Sequence, residues 1–104
     1  MKIHNHNLNI HYSLSQDIWD KVDQLHSEMP FWSGFIDGNP QWYGQKNDER
    51  IIIASVEPSG LQFYAELFQE EWDAWFELFK NRASEVLGFE VGEPEDGFDF
   101  HIYI

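Results

Sequence analysis

Four carboxylates crowd one short stretch near the end of the chain: Glu93, Glu95, Asp96 and Asp99 in EPEDGFDF, residues 93 to 100. A glycosidase would hold two such groups across a sugar-sized cleft, with their pKa values set apart by environment. Here the acids are neighbours on a loop and a strand edge, and a chain of 104 residues has little left to build that cleft. A calcium loop alternates oxygen ligands over twelve residues and closes on a glutamate; EPEDGFD has the carboxylates without the spacing. The stretch reads instead as a turn broken at Gly97, with Phe98 and Phe100 directed to the core. Its acids then form a solvated rim or a contact surface.

The histidines come next. A zinc site made without cysteine needs three or four converging ligands. His4 and His6, two apart, share one face of any strand there, His11 faces the other way, and His101 lies on the last strand. That pattern predicts neither a metal nor a cofactor. His26, near the end of a helix, is expected to benefit from the helix dipole and needs no other role. Ser55, Ser59 and Ser84 show no nucleophile elbow. The glycines are scattered turn residues, without a phosphate-binding loop. No catalytic residue is assigned, and the protein is expected not to be an enzyme.

Charge narrows the partners. Six Lys and Arg face nineteen Asp and Glu, for a net charge of −13 and a pI near 4.4. Direct binding to nucleic acid or to an anionic membrane is disfavoured, and a basic protein partner is favoured. The charge is uneven. Residues 1 to 56 hold seven acids and four bases, whereas residues 57 to 104 hold twelve acids and two bases. With no cysteine, no apolar run of membrane-spanning length and no apolar signal segment in MKIHNHNLNIHY, a cytoplasmic protein is expected.

Apolar residues are 42% and aromatics 17% of the chain, which is enough to bury a core in a single domain over 1–104. Residues 3 to 12 begin weakly and end as a strand, in which Leu8, Ile10 and Tyr12 alternate with Asn9 and His11. A helix follows, begun by a Ser13–Gln16 capping box or by Ser15. It carries Ile18, Trp19, Val22, Leu25 and Met29 on one face and stops at Pro30. Gly34, Asp37-Gly38 and Asn39-Pro40 punctuate a small hairpin with extended pieces at Phe35-Ile36 and Trp42-Tyr43. IIIASV, 51 to 56, is apolar on both faces and reads as a central strand. A turn at 57 to 60 leads to a strand over 61 to 67 with Leu61, Phe63, Ala65 and Leu67 on one side. The spacing of Trp72, Trp75, Phe76, Phe79, Ala83, Val86 and Leu87 predicts a helix from 69 to 87, closed by Gly88. Phe98, Phe100, Ile102 and Ile104 alternate as a last strand. The fold class is α+β: two layers, a mainly antiparallel sheet of about four to six strands with two helices on one face.

Three stretches carry a resemblance: Glu57 to Phe63 (EPSG-L-x-F), Glu71 to Lys80 (within the pattern E-x-W-x-x-WF-x-x-F-K, which starts at Glu70) and Leu87 to Phe98 (LGFEVGEPEDG-F). Together they resemble a group of small uncharacterised bacterial proteins. More loosely, they resemble the acidic immunity proteins of polymorphic-toxin and contact-dependent inhibition systems. The resemblance implies a cytosolic protein that binds and blocks a cognate toxin domain, often a basic nuclease, and it carries over no catalytic residue. The expected contact surface combines Glu90, Glu93, Glu95, Asp96 and Asp99, which would steer and pair with Lys and Arg, and Trp42, Tyr43 and Trp32 as apolar anchors. Phe35 is expected to cover the core. Rival readings are a structural or adaptor domain dimerising through a free sheet edge, and a small-ligand or metal binder built around the 31 to 43 hairpin.

Overall fold

The computed structural model describes residues 1 to 100. They form an α+β fold, a five-stranded antiparallel sheet with two helices packed on one face. The strands are β1 (Lys2–Leu8), β2 (Trp32–Ile36), β3 (Asn39–Tyr43), β4 (Ile51–Glu57) and β5 (Gly60–Leu67). The helices are α1 (Gln16–Glu28) and α2 (Gln69–Leu87). The sheet order is β1-β5-β4-β3-β2, so β4 is central as its two apolar faces predict, and β1 and β2 are the edges among the described residues.

Local chemistry accounts for the connections. Asp37 and Gly38 take φ of 53° and 82°, which gives the β2–β3 hairpin a turn whose twist matches its strands. The turn between β4 and β5 needs Gly60 for two reasons. Its φ is +118°, and a Cβ there would fall 2.1 Å from the Leu8 carbonyl oxygen. Met29 is extended ahead of Pro30, which ends α1 as expected. The Ser13–Gln16 capping box does not form: Ser15 is the N-cap, and Ser13 is turned towards His11. At the start of α2 the Glu71 carboxylate accepts from the Phe68 N–H at 3.3 Å.

The core lies between the sheet and the helices. Phe63 on β5 is its hub, with Trp42, Trp72, Trp75, Phe76 and Phe79 around it at ring separations of 5.0–6.4 Å. Ile18, Val22 and Leu25 of α1, with Met29 just past its end, close the other side. Three carbonyls at the end of α1 find side-chain donors elsewhere: Trp42 Nε1 reaches His26 O at 2.9 Å, Arg82 reaches Glu28 O at 3.1 Å, and Trp75 Nε1 reaches Pro30 O at 3.1 Å. Arg82 thus places a cation at the negative end of α1 from across the helix pair. Arg82→Met should lower stability by about 1 kcal/mol, seen as a fall in Tm that high salt partly abolishes.

Several expectations are corrected. The first strand runs from Lys2 to Leu8 and stops where the apolar alternation begins, with Tyr12 exposed. Phe35 does not cover the core; it is exposed and meets Trp32 edge-on. His26 does not serve as a charged group at a helix end. It is buried between Trp42 and Phe79, and burial pushes its imidazole down to about 4, so it is neutral at pH 7. The expected last strand falls largely on 101–104, outside the described residues, and residues 98 to 100 are not in strand.

Candidate functional site

The segment from Phe89 to Phe100 folds back over the end of the sheet around a single 3-10 turn, Pro94–Asp96, closed by Gly97. Asn9, buried just past the end of β1, holds it. Asn9 Nδ2 donates to Glu90 O at 3.0 Å and to Asp99 O at 2.9 Å, while its Oδ1 accepts from Gly92 N at 2.9 Å. Its own N–H donates to Gly92 O at 3.0 Å. Val91 N donates to Ser84 Oγ on α2 at 2.9 Å. The half-buried ring of Phe98 occupies the space that a Cβ on Gly92 would take, and Phe100 lies against Gly60. The two phenylalanines are therefore seated on glycines.

This anchoring sets where the acids point. Glu93 turns inward, and its carboxylate accepts from His6 Nδ1 at 3.0 and 3.1 Å, which places the Nδ1 proton on that imidazole. His6 and His4 stack on Trp72, and His4 Nε2 donates to Leu67 O at 3.1 Å. The two imidazoles share a face as expected, but that face is spent on packing. Among the described residues no group of three His, Asp or Glu could hold a metal ion. Glu90, Glu95, Asp96 and Asp99 are exposed.

Two clefts flank the turn. One, of about 150 Å³, runs along α2 and is lined by Glu77, Glu90, Glu93 and Asp96, with Lys80 as its only base among the described residues. Lys80 Nζ reaches Glu77 at 3.2 Å and lies 4.8 Å from the Phe76 ring centre. The other, of about 370 Å³, opens on the β1 edge, with Asn5, Asn7, Ser59 and Glu95 along its walls. Glu93 borders both.

The aromatic anchors fare differently from the acids. Trp42 has 0% of its surface exposed and its Nε1 is bonded to His26 O, so it is a core residue and offers nothing to a partner. Tyr43 is also buried, beneath Phe31, at a ring separation of 4.2 Å. Burial, and then the nearby Glu71 carboxylate, raise its phenol above the usual value. Trp32 is half-buried, edge-on to Trp42. Beyond Tyr43 the Arg50 guanidinium lies 4.9 Å from the ring centre, held by Asp48 at 3.0 Å and Glu71 at 2.9 Å. These bonds raise the Arg50 pKa and keep the Asp48 carboxyl below the usual range.

The structure brings Glu90, Glu93 and Asp96 together with Glu77 of α2, which the sequence did not single out. It leaves Trp32, Trp42 and Tyr43 apart from them, on the β2–β3 hairpin. Asn9 had no signal at all: in an alternating pattern it sits on what reads as a solvent face. Comparison with protein-family models, with curated proteins and with solved structures returned no match, and so lends the resemblance of 57–63, 71–80 and 87–98 no support.

Proposed function

We propose that the protein is a non-enzymatic binding module for a basic protein, acting in the cytoplasm as an immunity or inhibitor protein against a cognate toxin domain. One observation carries the reading: carboxylates from two separate elements, α2 and the 89 to 100 segment, meet along one cleft in which Lys80 is the only base among the described residues. Acids gathered in this way raise the local concentration of a cationic partner and speed its docking, at a cost in self-repulsion that the remaining contacts offset. The inward turn of Glu93 makes it a structural member of the surface, while Glu90, Glu95, Asp96 and Asp99 face outward to meet Lys and Arg.

The test uses the product of the gene adjacent and upstream, co-expressed and then purified. If it is a basic toxin, co-expression should abolish its toxicity. Replacing Glu90 and Glu95 by Gln and Asp96 by Asn should then slow association by about ten-fold at low salt and flatten its salt dependence, with dissociation little changed. Glu93 stays in place, because it holds His6. Association that is equally fast and equally salt-dependent in the triple variant would remove this surface from the mechanism.

A further inference from the structure

The turn after α1 presents Phe31 in an unfavourable way. Its φ is 70°, in the left-handed region that a bulky side chain avoids, and 58% of its surface is exposed. Tyr43, which carries it, is also left-handed, at φ 59°. The pair is fastened by Tyr43 N donating to Phe31 O at 2.8 Å, by the stacked rings, and by a Ser33 hydroxyl donating to Tyr43 O. Glycine at 31 would adopt this backbone without strain. The fold thus holds a largely exposed apolar ring in a strained backbone, offset by its stacking on Tyr43.

Phe31 and Tyr43 form one wall of a groove of about 320 Å³ whose other wall is α2, through Glu71, Ala74, Trp75 and Leu78. The interior is apolar. Its surroundings are not: Glu70 and Glu77 are exposed on α2 four and three residues from Ala74, and Arg50, which lies against the lining residue Tyr43, is engaged with Asp48 and Glu71. We propose that this groove receives an apolar side chain carried between Lys or Arg residues on a segment of a basic protein, which rests on the function proposed above and supplies its missing anchor. A rigid aromatic wall lets the anchor dock with little loss of freedom, and the surrounding acids choose cationic neighbours for it. The groove lies on the hairpin side of α2, apart from the 89 to 100 acids, so the partner would span both.

An acetylated, amidated pentapeptide Lys-Lys-Trp-Lys-Lys is a sufficient probe, titrated into the isotopically labelled full chain and followed by amide NMR. Saturable shifts are expected at Tyr43, Ala74 and Leu78, with binding about five-fold weaker when Gly replaces the peptide Trp and also when Glu replaces its Lys. Phe31→Gly should weaken binding about five- to ten-fold with little change in Tm, because it relieves the left-handed backbone while uncovering Tyr43. That combination separates a docking residue from a structural one. Ala74→Lys, on the exposed side of α2, should weaken binding similarly without touching the turn. Shifts confined to Glu90–Asp99 would overturn the groove and leave the basic-partner reading standing. Saturation at the groove by the acidic peptide with equal affinity would overturn the cationic part of the proposal and count against the basic partner. Undiminished binding by Phe31→Gly would overturn the anchor.

Discussion

Lowering the pH from 7 to 4 should remove about 3 kcal/mol of stability through one side chain, His26. The imidazole is 2% exposed, neither ring nitrogen has a hydrogen-bond partner among the described residues, and burial pushes its pKa from 6.5 down to about 4. In the unfolded chain it takes up its proton from about pH 6.5 downward. In the folded protein uptake waits until about pH 4. Between those values the unfolded state binds more protons, so stability falls as the pH falls, by up to about 1.4 kcal/mol per unit, and this contribution levels off below the folded value. Other groups act differently. Asp48, held below the usual carboxylate range by Arg50, contributes stability that is lost only below this window. Asp23, raised first by burial and then by Asp20, works in the opposite direction. His26→Leu keeps an apolar group against Phe79 and Trp42 and leaves the backbone carbonyl that accepts from Trp42 Nε1 untouched. Urea melts at half-unit pH steps should show the variant without the parent's steep fall between pH 6.5 and 4, and as stable as the parent, or more so, at pH 7, because two unpaired buried nitrogens are gone. Parallel curves for parent and variant would place the acid sensitivity elsewhere.

The same residue shows where sequence reading works and where it stops. The long helix was legible because Trp72, Trp75, Phe76 and Phe79 are too apolar to be solvated and recur at helical spacing. Asp37-Gly38 was legible because its turn has few alternatives. The first strand was misplaced for a chemical reason: its inward residues are His4, His6 and Leu8, and imidazoles do not register as apolar until Trp72 is known to lie beneath them. His26 and Trp42 were misjudged similarly. A histidine in a last helical turn and a tryptophan in a Gly-rich hairpin have both an exposed and a buried use, and only contacts made across the chain decide which. The acid cleft was half legible. Composition placed the charge in the second half of the chain, but the convergence of Glu77 with Glu90 depends on how the 89 to 100 segment folds back. The groove at Phe31 was not legible, since it depends on the sign of two φ angles.

Replacing Asn9 should have the other large effect, about 3 kcal/mol, and it should appear first in a region far from residue 9 in sequence. Asn9→Leu preserves volume but strands the Gly92 N–H and two carbonyls, of Glu90 and Asp99, which lose their side-chain partners together. Each lost bond is worth about 1 kcal/mol, with a further penalty where the orphaned group stays buried, as at Gly92. The backbone bond from Asn9 N to Gly92 O and the bond from Val91 N to Ser84 Oγ survive, so the segment loosens before the sheet does. Amide exchange in Asn9→Leu should therefore accelerate strongly at Gly92 and Val91, while the amides that pair β4 with β5 slow exchange nearly as well as in the parent. Asn9→Asp distinguishes bonding from volume. It retains the acceptor for Gly92 N but turns a carboxylate towards two carbonyl oxygens, so it should be at least as damaging as leucine at pH 7. In a His26→Leu background, where the histidine contribution is absent, that damage should lessen on acidification, because a carboxyl whose folded pKa is raised gains stability as the pH falls. Such recovery would identify Asn9 as the hydrogen-bonding clasp that sets the directions of Glu90, Glu95 and Asp96. Uniform loss of protection across the whole sheet would instead make it an ordinary core residue, and the acid cleft would owe its shape to Ser84 and the Phe98–Gly92 contact alone.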